Sequence, residues 1–87
     1  MTSSIDEVKS GIMQACSQIS ESNGALQQAN SALQQAQGTL QRVTQGTSQA
    51  DVSEAIALLN RAMDGVQEVQ QAADAAVQAA EGVAARL

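Results

Sequence analysis

Isoleucine or leucine stands at every seventh position from Ile5 through Ile12, Ile19, Leu26 and Leu33 to Leu40. Val8, Ala15, Ser22, Ala29, Ala36 and Val43 stand three residues further on. A mean spacing of 3.5 residues keeps such positions in one narrow stripe along an α-helix, and a stripe of that shape has to be covered by another helix. The pattern predicts a first helix over about 4–43. Ser4 is its expected N-cap, with Glu7 three residues on reaching back to complete a capping box, and Asp6 and Glu7 lie beside the positive helix end. Asn23-Gly24 is a turn signal inside this segment. Because Leu26 keeps the phase of Ile19 across that dipeptide, a continuous helix is expected.

The pattern breaks over about 44–51. Gly46 suits a left-handed C-cap, and Asp51 with Glu54 resembles a second capping box, so a turn is predicted there. A second helix follows over about 52–86. Val52, Leu59, Val66, Ala73, Ala80 and Leu87 recur at sevenfold spacing in it, and Ile56, Met63, Gln70, Val77 and Ala84 lie four residues after the first five of these. Folding the chain back at Gly46 places residues whose numbers sum to about 95 opposite one another. Val43 then meets Val52, Leu40 meets Ile56, Ala36 meets Leu59, Leu33 meets Met63, and Val8 meets Leu87. Large residues often face small ones, which lets antiparallel helices approach closely. The expected fold is therefore all-α: one domain over 1–87, an antiparallel two-helix coiled-coil hairpin that assembles into a four-helix bundle.

Far from the turn the expected layers are thin, with Ser22 facing Ala73 and Ala15 facing Ala80. That half is where a second chain is expected to dock, through Ile12, Ala15, Ile19, Ser22, Leu26, Ala73, Val77 and Ala80. Gln70 falls in the stripe opposite Leu26. There it either fixes register as a buried amide or sits at the edge and reaches water.

Composition narrows the chemistry. The 87 residues include no Phe, Tyr, Trp, Pro or His, so a large mixed core, base-stacking platforms and the usual proton-transfer groups are all missing. With one cysteine there is neither an intrachain disulfide nor a plausible zinc set, and catalysis, cofactors and small-molecule substrates are not expected. Cys16 lies beside the stripe and reads as a small apolar filler, the alternative being an intermolecular disulfide. Nine acidic residues against Lys9, Arg42, Arg61 and Arg86 give a net charge of −5, which disfavours nucleic acid and anionic lipid surfaces. Asp64, Glu68, Asp74 and Glu81 read as a solvated face. The longest apolar run, 55–59, is far too short to span a bilayer. No cleavable signal pattern opens the chain, so a cytoplasmic protein, or one exported without such a peptide, is expected.

In size, acidity and two long helices joined at the chain's midpoint, with Gly46 in Thr44-Gln45-Gly46 at the turn, the chain resembles the Trp-X-Gly (ESAT-six-like) family. It lacks that family's tryptophan and its C-terminal tyrosine signal. The resemblance implies homo- or heterodimeric four-helix bundles acting as substrates, adaptors or toxin partners in type VII secretion. The residues themselves point to a protein–protein interaction module that pairs with itself or with a helical partner. The alternative is a structural coiled-coil spacer or oligomerisation element.

Overall fold

A computed structural model describes residues 3–44 and 49–87. Two helices, α1 (Ser4–Val43) and α2 (Gln49–Arg86), run antiparallel and pack along their lengths, so the protein is an all-α helical hairpin. Forty residues at about 1.5 Å each account for most of the observed 69 × 17 × 11 Å extents. Gly46 and the centre of the expected turn lie outside the described residues.

Local chemistry explains the helix ends. Ser3, not Ser4, is the N-cap of α1: its backbone is extended at φ −72°, ψ 161°, and its Oγ accepts the Asp6 N–H at 3.1 Å. A cap must sit just outside the helix with its oxygen over the free N–H groups, and Ser3 also accepts the Glu7 N–H through its own carbonyl, at 3.0 Å. Thr44 closes α1, its N–H donating to the Leu40 carbonyl at 3.1 Å and its hydroxyl to the same oxygen. The second helix begins at Gln49, three residues before the expected start. This puts Asp51 in the first turn, where a carboxylate favours the helix dipole, and Arg86 lies in the last turn with the complementary charge.

Asn23-Gly24 does not interrupt α1. A Cβ added at Gly24 would meet nothing within 4 Å, so the glycine costs helix propensity without providing a close approach. Gly24→Ala is expected to raise the unfolding free energy by about 1 kcal/mol. Thermal melting reads this as a rise of several degrees; an unchanged or lower midpoint would show that the glycine is needed for something outside the hairpin.

Among the described residues, three side-chain hydrogen bonds join the helices and fix their register. Asn23 Nδ2 donates to Asp74 Oδ1 at 2.8 Å, Gln37 Nε2 to Asn60 Oδ1 at 2.9 Å, and Gln70 Nε2 to the Asn23 carbonyl at 3.3 Å. The partners' numbers add to between 93 and 97, around the 95 expected from folding the chain at its midpoint.

Candidate functional site

The site of interest in a two-helix protein is its lateral surface, and that surface follows from which residues occupy the seam. In α2 the expected set is observed: Val52, Ile56, Leu59, Met63, Val66, Gln70, Ala73, Val77, Ala80 and Ala84 are all half-buried, while Leu87 is exposed. In α1 the Ile12–Ile19–Leu26–Leu33–Leu40 row is half-buried as expected. Its companion row is not the predicted one. Cys16, Asn23, Asn30, Gln37 and Thr44, four residues on, face the seam, whereas Val8, Ala15, Ser22, Ala29, Ala36 and Val43 are exposed.

Steps of three and four residues both lie near one helical turn, so the periodicity of α1 permits either companion row. Reach across the seam decides between them. The longer amides at 23 and 37 cross to Asp74 and Asn60, which Ala29 and Ala36 have no polar group to do and the short Ser22 hydroxyl does not. Ser22, left outside, donates its hydroxyl back to the Gln18 carbonyl at 3.1 Å. Gln70 sits in the seam and is satisfied by main chain. Cys16 is a half-buried free thiol at the same seam.

This rotation gives the hairpin two unlike walls. On one side, rows at 13, 20, 27, 34 and 41 of α1 and 53, 60, 67, 74 and 81 of α2 flank the seam, and all are polar except Met13. An open groove of about 740 Å³ lies between them, lined by Ser20, Gln27, Gln34, Gln67, Gln71 and Asp74 among others. The Oδ1 atoms of Asn23 and Asn30 are buried without a hydrogen-bond partner. On the opposite wall lie the Val8–Val43 row and, on α2, Ala55, Ala62, Val69, Ala76 and Val83. Beside the latter run Leu58, Gly65, Ala72 and Ala79. Between positions 55 and 83 these two α2 rows contain no polar side chain. Leu58 is 54% and Val69 53% exposed there.

Of the residues expected to contact a partner, Ile12, Ile19, Leu26, Ala73, Val77 and Ala80 lie in the intrachain seam. Ala15 and Ser22 lie on the outer apolar wall. The α2 part of that wall was missed from sequence, though its signal is present as a second heptad-spaced apolar pair of rows beside the first. Asp64, Glu68, Asp74 and Glu81 are exposed, and Asp74 accepts from Asn23. Among the described residues no group of three or more His, Cys, Asp or Glu is placed to hold a metal ion, and no helix is long and apolar enough to cross a membrane.

Fold and surface together define a helical hairpin with one polar and one apolar wall. Comparison with protein-family models, curated proteins and solved structures finds no match to this chain.

Proposed function

We propose that this protein is a non-enzymatic association module, a helical hairpin that completes its core by pairing with a second hairpin or a helical partner. One observation carries the reading: none of the described residues is buried. The chain has 6316 Å² of accessible surface, where a compact monomer of its 8.9 kDa would have about 4800 Å². The difference, about 1500 Å², exceeds the ~800 Å² per partner of a standard interface. A four-helix bundle removes such an excess by giving each apolar face a neighbour.

The resemblance to the Trp-X-Gly family supports a more specific form of the same reading, an adaptor or substrate associated with type VII secretion. The hairpin shape is compatible with that role. A lone spacer is less well supported, because an antiparallel hairpin spans half the distance of one continuous helix of this length.

Light scattering with small-angle scattering tests the association. The expected result is a particle of at least twice the chain mass with a length close to that of one hairpin. A cooperatively folded monomer that persists up to millimolar concentration and binds no helical partner would refute the reading.

A further inference from the structure

We propose that the apolar wall is covered by a second copy of this chain, stacked about a two-fold axis parallel to the hairpin so that both α1–α2 connections lie at the same end. The inference rests on the association reading above and adds the face, the occupant and the orientation.

Charge selects the face. Two copies that each carry −5 can approach closely only through a surface without like charges. Every Asp, Glu, Lys and Arg lies off the apolar wall between positions 8 and 43 and between 55 and 83. The polar wall, by contrast, carries the Asp74 and Glu81 carboxylates, which self-contact there would strip of water with no cation in the facing rows to receive them.

Shape selects the occupant. In the register set by the cross-helix hydrogen bonds, Leu58 stands level with Ala36, Val69 with Ala25 and Ala29, and Val83 with Gly11. A two-fold axis along the hairpin lays α2 of one copy over α1 of the other at the same level. Each bulky side chain of one copy then meets the small ones of its mate, in both directions at once, as a self-complementary interface requires. Stacking the copies with their connections at opposite ends would instead place α2 on α2 and bring Val69 against its own counterpart, bulk on bulk. The excess surface of about 1500 Å² per chain is enough for a stable dimer.

Two substitutions probe the face without disturbing the hairpin. A Cβ at Gly65 meets nothing within 4 Å of its own chain, so Gly65→Leu should keep or raise helicity while wedging the copies apart. Val69→Glu places a charge in the middle of the contact. Each is expected to weaken dimerisation by about 100-fold or more, while Gln67→Glu on the polar wall changes it by less than about tenfold. Circular dichroism and light-scattering mass are read on the same samples. For orientation, Ala25→Cys and Val69→Cys chains, both carrying Cys16→Ser, are mixed under oxidation; a 25–69 cross-linked dimer is expected. A Val69→Cys homodimer in place of it would overturn the orientation. A dimer that both face variants leave intact would overturn the face while sparing the association reading. A wild-type chain that is monomeric alone and associates only with a different helical protein would overturn the second copy as occupant. A wild-type chain that is a cooperative monomer under all these conditions would remove both readings.

Discussion

Leu59→Ala is expected to lower the unfolding free energy by about 2–5 kcal/mol, with the melting temperature of the wild type, and of the variant, rising with protein concentration. Leu59 is among the largest side chains in the α2 seam, at the level of Ala36, and within one hairpin it is only half-buried. Burying half of a leucine is worth on the order of 1 kcal/mol, so the larger loss requires the second layer of helices to finish its enclosure. Chemical denaturation at two concentrations checks the expectation. A loss below about 1 kcal/mol, independent of concentration, would mean that Leu59 stays half-exposed in solution.

Asn30→Leu is expected to act in the opposite direction, raising stability by about 1–3 kcal/mol. The Asn30 Oδ1 atom is buried in the seam without a hydrogen-bond partner, and its desolvation is an uncompensated cost that an apolar side chain of similar size removes. Asn23 provides the contrast. Its amide donates to Asp74, and its carbonyl accepts from Gln70, so Asn23→Leu removes one of the bonds that hold the register. The expected pattern is a higher melting midpoint for the Asn30 variant and an unchanged or lower one for the Asn23 variant. A destabilised Asn30→Leu chain would show that this amide finds a partner in the assembled protein.

The two asparagines also suggest why a seam with so many amides is useful. Polar residues in a helix–helix seam cost stability and restrict the ways in which two helices can pair. The Asn23–Asp74 and Gln37–Asn60 bonds tie α1 to α2 at two levels about 20 Å apart along the helix, fourteen residues at 1.5 Å each. A slip by one turn would break both. An apolar seam of alanines would resist such a slip poorly, since successive small residues present nearly the same surface at each turn.

The heptad rows of Ile and Leu in α1 and the two rows of α2 were legible because burial against one neighbour imposes a period, and a period is written in the order of residues. The continuity through Asn23-Gly24 and the register near a sum of 95 follow from the same pattern, whereas the N-cap fell at Ser3 and not Ser4, because only an oxygen just outside the helix lies over its free N–H groups. What the order of residues left open was the rotation of α1 about its own axis. Rows three and four residues beyond Ile12 both fit a 3.5-residue mean period, and the more apolar one, with Ala15 and Val43, looked like the seam. Only the packed structure shows the amide row turned inward, because its hydrogen bonds reach groups on a helix some fifty residues away in the chain. That rotation of α1 moves its valines and alanines onto the outer wall. It thereby decides which surface a partner can cover, a property of two helices together that neither helix's sequence determines alone.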